Sequence, residues 1–160
     1  MKTALILTLI ASLTILSACG WRLRGSDTLN IKQNIYLAPA SGEIYQNIRR
    51  EITRKRSEVS IAEADIQLVL GDEFFNERNH SVNNQLQPTQ YQLVLSIPYE
   101  ILDPSGKPLI PEATAKVSRY YTFNRNAITS SDREKQTLRK EMVRAVSRQI
   151  LRRVHILLRK

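Results

Sequence analysis

The stretch Gln90-Tyr-Gln-Leu-Val-Leu-Ser-Ile-Pro-Tyr-Glu-Ile-Leu102 alternates apolar and polar side chains over most of its length. A period of two residues is typical of a β-strand that buries one face. The face predicted to be buried carries Tyr91, Leu93, Leu95, Ile97, Tyr99 and Ile101. Pro98 has no N–H to donate, so its amide side must face a sheet edge or a bulge. The segment therefore predicts a strand in a sheet that is covered on one side.

Two neighbouring segments extend this sheet. Residues 103–106, Asp-Pro-Ser-Gly, are a strong turn signal, and they predict a hairpin into a strand over 113–123. Upstream, apolar residues alternate over 66–74 and Phe74 keeps the same phase, which predicts another strand with one buried face. The polar residues 76–89 then predict a long hairpin loop between these strands.

Two amphipathic helices complete the pattern. The first is predicted from a Ser41 cap to Arg56, with isoleucines every fourth residue. The second is predicted to open on a capping box at Ser131 and to end near Leu158. A short strand over 34–38 precedes both helices. The order predicts an α+β fold: one four-stranded, mostly antiparallel or mixed sheet with both helices packed on one face, as a two-layer sandwich.

The N-terminus has the layout of a secretory leader. Lys2 supplies a positive start, and the uncharged stretch that follows is too short to span a bilayer as a helix. Residues 16–19, Leu-Ser-Ala-Cys, closely resemble the bacterial lipoprotein signal and end on the chain's single cysteine. We therefore expect residues 1–18 to be removed as a signal peptide, leaving 19–160 as one domain. The alternative is a stray buried cysteine beside an ordinary signal peptide.

Lipid on Cys19 is the attachment that this signal predicts. A diacylglycerol and an N-acyl chain on the cysteine would together meet the need for more than one chain in stable anchoring. No other cofactor is predicted. The lipoprotein sorting rule associates aspartate after the cysteine with inner-membrane retention, and Gly20 stands there instead. The expected location is therefore the outer membrane, on its periplasmic side.

The chain is strongly basic, with a formal net charge of +9. Such a charge favours nucleic acid, anionic membrane or phosphorylated glycolipid as partner. Export removes the protein from nucleic acid, so no nucleic-acid partner is expected. The sequence contains no phosphate loop, serine elbow or paired histidines at metal-ligand spacing, and His80 and His155 stand alone. We expect neither an enzyme nor a metal site.

Several short motifs together resemble one family. Residues 19–25 (Cys-Gly-Trp-Arg-Leu-Arg-Gly), 91–95 (Tyr-Gln-Leu-Val-Leu), 115–124 (Ala-Lys-Val-Ser-Arg-Tyr-Tyr-Thr-Phe-Asn) and the helical pieces 141–142 and 149–151 are similar to the lipopolysaccharide-assembly lipoproteins of the LptE family. The resemblance implies a small outer-membrane lipoprotein that sits inside the large β-barrel LptD and helps it assemble. It also implies that the pair inserts lipopolysaccharide into the outer leaflet. The alternative is a lipoprotein pilot or adaptor for another outer-membrane assembly.

Four cations are the candidate lipopolysaccharide contacts: Arg78, Lys107, Lys116 and Arg119. Arg78 and Lys107 come first, because loops and turns at the ends of the sheet are better placed to meet a glycolipid, and Lys116 and Arg119 on the hairpin strand support them. The helix row Arg144, Arg148 and Arg152 is not favoured, because the resemblance implies that the helices pack on one sheet face and lie within the barrel. Arg119 falls in the apolar phase of its strand, so it needs a partner or a route to solvent, unless a bulge turns it outward. The sequence leaves these alternatives open.

Overall fold

A five-stranded sheet and two helices form the part of the chain that the structure, a computed structural model, describes: residues 34–82, 88–123 and 127–158. The strands are β1 (Ile35–Leu37), β2 (Ile66–Leu70), β3 (Phe74–Val82), β4 (Pro88–Leu102) and β5 (Pro108–Thr122). The helices are α1 (Glu43–Arg54) and α2 (Ile128–Leu157), and a short 3-10 helix lies at Ile61–Glu63. The predicted α+β class is confirmed, with one strand more than expected.

β4 is the central strand because it has partners along both of its edges. β5 runs antiparallel along one edge, with Val117 opposite Leu95. The other edge is shared, since β2 pairs with residues 99–102 and β3 pairs with residues 88–96, both antiparallel. β1 joins β2 in parallel. The sheet is therefore mixed, with β2 and β3 lying end to end beside β4.

One hydrophobic core lies between the sheet and the two helices. β4 contributes the predicted alternating residues Leu93, Leu95, Ile97, Tyr99 and Ile101, all of them buried. α1 contributes its isoleucine stripe, and α2 contributes Met142, Val146, Ile150 and Val154. Since the helices cover a single face of the sheet, the predicted two-layer arrangement is confirmed.

β3 is the strand that the sequence did not predict. The predicted loop over 76–89 is wrong at both ends, because β3 continues to Val82 and β4 already begins at Pro88. Among the described residues, β3 pairs only with β4 and leaves its other edge open. Such an outer strand holds polar side chains in solvent while its backbone still pairs. The polar composition of this segment therefore led to the prediction of a loop where the structure has a strand.

A break at residues 71–73 separates β2 from β3 and changes the phase of the strand. Leu70 lies opposite Tyr99 and Phe74 lies opposite Ser96, so β3 gains one residue relative to β4 across the break. One extra residue exchanges the two faces of a strand. The predicted inward phase of Phe74 is therefore wrong: its side chain is 61% exposed, and Phe75 packs against the core instead.

Pro98 and Gly71 fit together at this break. The Gly71 N–H donates to the Pro98 carbonyl at 2.9 Å, and a Cβ on Gly71 would lie 2.6 Å from Cγ of Pro98. Only glycine allows this close approach. Pro98, which has no N–H, therefore lies where the hydrogen-bond ladder between strands is interrupted. This agrees with the prediction that its amide side faces a sheet edge or a bulge.

Both helices begin differently from the prediction. Gly42, at φ +106°, precedes α1, and the Ile44 N–H donates to Oε1 of Glu73 at 2.5 Å, so a carboxylate from the break acts where Ser41 was expected to cap. α2 begins at Ile128, about one turn early, and Ser131 lies inside it with its hydroxyl donating to the Ala127 carbonyl at 3.3 Å. The predicted capping box is therefore wrong.

Replacement of Leu95 tests the assignment of the sheet faces. Leu95 is almost fully buried between β4 and the helices, so Leu95→Ala is expected to lower the free energy of unfolding by about 2–5 kcal/mol. Gln92→Ala, on the other face, is expected to cost under about 0.5 kcal/mol. Urea unfolding of both variants measures the difference, and equal losses would contradict the assignment.

Candidate functional site

The surface of β3, β4 and β5 that points away from the helices, here called the open face, is the candidate site. Strand pairing fixes which residues share it. Phe74, Ser96 and Lys116 form one row across the three strands, and Arg78, Gln92 and Tyr120 form another. Directly paired residues point to the same face. Arg78 and Lys116 therefore lie on one surface, on opposite sides of β4.

Two aromatic rings accompany these cations on the open face. Phe74 is 61% exposed and Tyr120 is 47% exposed. The Tyr120 ring lies 4.6 Å from the His80 ring between centroids, and its hydroxyl accepts a hydrogen bond from Nε2 of Gln92 at 3.0 Å. Tyr121, the next residue in the chain, is buried in the core, whereas Tyr120 is exposed. Successive side chains of a strand point to opposite faces, so Tyr120 and Tyr121 cannot both be in the core. This alternation is the sequence signal for the exposed ring.

Arg119 lies on the other face of β5. It pairs with Leu93, on the helix-covered side, yet it is exposed, and its Nη1 donates to the Ser118 carbonyl at 2.9 Å. The irregular pairing of β5 occurs opposite residues 99–102, far from this position. Of the alternatives that the sequence left open, the route to solvent is the one observed.

Lys107 lies in the β4–β5 turn, at the far end of the sheet from Arg78. Oδ1 of Asp103 accepts hydrogen bonds from the Ser105 N–H, the Ser105 hydroxyl and the Lys107 N–H, at 2.8, 2.6 and 2.9 Å. These bonds, led by the one from the Ser105 hydroxyl, lower the pKa of Asp103. At about 3.3 Å per residue from Gln92 to Leu102, the turn is roughly 30 Å from the Arg78 row.

The four predicted cations are therefore not one cluster. Arg78 and Lys116 share the open face, while Arg119 and Lys107 lie elsewhere. Cys19, the predicted lipid attachment site, lies outside the described residues. Within the described residues no group of three or more histidine, cysteine or acidic side chains could hold a metal ion, and no helix is long and apolar enough to cross a membrane.

A polar cluster on the helix-covered side of the sheet connects β3 both with β5 and with α2. The Tyr121 hydroxyl donates to Oε1 of Glu77 at 2.5 Å, and Lys135 of α2 forms an ion pair with the other carboxylate oxygen. Desolvation opposes ionisation of Glu77, but the hydrogen bonds from Lys135 and Tyr121 outweigh it and lower the pKa of the carboxyl group. Desolvation and the Glu77 carboxylate raise the pKa of Tyr121. Glu77 is thus held ionised.

The LptE family model, described as lipopolysaccharide-assembly, matches residues 28–154. The chain belongs to this family. The match includes every described strand and helix except the last residues of α2. No functionally curated protein matches the chain significantly.

Solved structures share the fold of this family member at low sequence identity. An uncharacterized lipoprotein B from Nitrosomonas europaea is 20% identical, with a TM-score of 0.65 over 77% of this chain and 82% of that one. The rare lipoprotein B from Shewanella oneidensis is 16% identical, with a TM-score of 0.62 over 79% and 98%. A minor lipoprotein from Acinetobacter baumannii is 15% identical, with a TM-score of 0.57 over 77% and 89%. Each likeness supports the two-layer fold.

Acid should selectively weaken the Glu77 cluster. A carboxyl group whose pKa is lower in the folded state stabilises the fold fully above its unfolded pKa, and the contribution disappears as pH falls through the folded value. Glu77→Gln removes the charge, so wild type should melt above the variant at neutral pH. Melting curves should show this gap shrinking below about pH 4.5, the ordinary pKa of a glutamate side chain. A gap that stays constant to strongly acidic pH would contradict the assignment.

Proposed function

We propose that this protein is a lipid-anchored, non-enzymatic subunit of the machinery that assembles lipopolysaccharide into the outer leaflet of the outer membrane. The observation that carries the proposal is the match to the lipopolysaccharide-assembly family over residues 28–154. The lipoprotein names of its structural neighbours agree with the lipoprotein signal at Leu16–Cys19. In this proposal, LptD is the barrel partner and lipopolysaccharide is the ligand.

The open face suits a phosphorylated glycolipid. Arg78 and Lys116 are exposed, and neither forms an ion pair with a described residue. Arginine forks match phosphate oxygens in pairs, and lysine adds a second point charge. The exposed rings of Phe74 and Tyr120 add apolar surface to the same face as the two cations. Lys107 and Arg119 stay candidates for separate contacts, since each is displayed to solvent away from this face.

Charge reversal on the open face tests the glycolipid contact. Arg78→Glu with Lys116→Glu is expected to weaken lipopolysaccharide binding by about tenfold, or roughly 1.4 kcal/mol, and to flatten its salt dependence. The matched control, Arg148→Glu with Arg152→Glu, makes the same charge change on exposed helix positions. Binding is measured over a salt series with melting temperatures alongside. Equal losses in both double variants would show that only net charge matters.

Purification from membranes tests the barrel partner. The full chain, tagged at its C-terminus and extracted in mild detergent, is expected to bring down one large β-barrel protein in stoichiometric amount. Mass spectrometry identifies the partner and its ratio. Recovery of a different outer-membrane assembly would favour the pilot or adaptor alternative instead.

Cys19 tests the anchor. The thiol is the proposed attachment point for diacylglycerol, so Cys19→Ala is expected to abolish incorporation of a labelled fatty acid and to leave the leader uncleaved or the protein mislocalised. Cys19→Ser, which keeps a small polar side chain but no thiol, should behave in the same way. Label retained on either variant would refute the assignment.

A further inference from the structure

A cleft of about 690 Å³ runs between α1 and α2 on the outer side of the helix layer. The residues along α1 recur at one-turn spacing, as do those along α2, so two helix faces meet across it. It is lined by Gly42, Glu43, Gln46, Asn47, Arg50, Lys140, Val143 and Arg144. The hydrophobic core and the sheet lie between this cleft and the open face, so the two surfaces cannot contact the same chemical group.

The three cations of the cleft lack carboxylate partners within the described part of the chain. Four other cations on the helices are paired: Arg49 with Glu58, Arg54 with Glu51, Lys135 with Glu77, and Arg139 with Glu43. Arg50, Lys140 and Arg144 have no such pair. Their charges therefore remain available to an anion that enters the cleft.

The one carboxylate at the cleft is already engaged. Nε of Arg139 lies 3.2 Å from Oε1 of Glu43, and the Arg139 guanidinium lies over the Phe75 ring, 4.7 Å from its centroid. This contact from the sheet side fixes the arginine beside Glu43. Glu43 therefore has a cation partner that does not line the cleft, and the other charged residues of the cleft are the three cations.

The remaining lining residues favour a sugar beside the anion. Gln46 and Asn47 carry amides that both donate and accept hydrogen bonds, as sugar hydroxyls require, and Val143 gives an apolar floor for a ring face. We propose that this cleft binds a phosphorylated sugar, with the phosphate held by Arg50, Lys140 and Arg144. The source expected under the proposed function, on which this point rests, is the phosphorylated saccharide of the glycolipid.

An acidic peptide fits this cleft less well. Arginine clusters do bind acidic peptide motifs, but a bound peptide is usually also held by backbone pairing at a sheet edge or by several apolar anchors. The cleft offers helices and a single buried apolar residue instead. Exposed cations on a helix do not by themselves make a binding site. Arg148 and Arg152 lie further along α2, are exposed, and do not line the cleft, so they supply a matched control.

Titration of the full chain in detergent, followed by NMR, tests the cleft directly. Glucose 1-phosphate should shift the side-chain signals of Arg50, Arg144 and Asn47 saturably, glucose alone should not, and inorganic phosphate should bind at least about fivefold more weakly. Arg50→Gln with Arg144→Gln should weaken binding by about tenfold at unchanged melting temperature. Arg148→Gln with Arg152→Gln should change it by less than about twofold.

The results that would contradict the cleft assignment differ from those that would contradict the proposed function. Equal affinity for phosphate and glucose 1-phosphate, equal losses in both double variants, or tighter binding of an oligoglutamate peptide would each overturn the cleft assignment. Lipopolysaccharide binding is measured in parallel on the same proteins. If wild type and the Arg50/Arg144 variant bind the glycolipid equally, the assignment of the cleft to the saccharide of the glycolipid is overturned and the proposed function stands. If wild type binds sugar phosphate but no lipopolysaccharide, glycolipid binding fails while the cleft remains a free sugar-phosphate site.

Discussion

One extra residue between β2 and β3 is the constraint on which the arrangement of both layers depends. Without it, the alternation of β2 would continue and Phe74 and Arg78 would point toward the helices. With it, Phe75 and Glu77 point inward and Arg78 joins the open face. Gly71 permits this irregularity by packing directly against Pro98, whose missing N–H removes the competing ladder bond.

The same segment also positions the helices. Glu73, inside the break, accepts the Ile44 N–H at the start of α1, while Glu77 on β3 pairs with Lys135 of α2. Arg139 of α2 completes the set by contacting both Phe75 and Glu43. The two helices are therefore located by polar contacts from the break and β3 as well as by the apolar core. The width of the cleft between them depends on both.

Strong periodicity and turn chemistry made most of the fold predictable. The alternation along β4 correctly gave its buried face, the Asp-Pro-Ser-Gly turn gave the hairpin to β5, and the isoleucine stripe gave α1. β3 escaped prediction because an outer strand is held by backbone pairing, which leaves little trace in side-chain polarity. Ser41 does not cap α1, because the carboxylate of Glu73, distant in sequence, accepts the N–H at the start of that helix. Ser131 does not open α2, because that helix begins about one turn earlier. Of the candidate site, the sequence proposed the cations, and the alternation along β5 correctly placed Arg119 in the apolar phase. The face of Arg78 could not be predicted, because it depends on the phase shift between β2 and β3.

Coverage of the apolar sheet face by both helices has a consequence for the order of assembly. The described part of the chain buries its hydrophobic core between the sheet and the two helices, and the face left open is mostly polar. Because this core is covered without a partner, we expect the described part to complete its folding before any encounter. Association would then be docking of two finished surfaces, with little ordering entropy to offset. Partner choice would depend on complementary charge and shape, and a mispaired encounter could dissociate without unfolding either molecule.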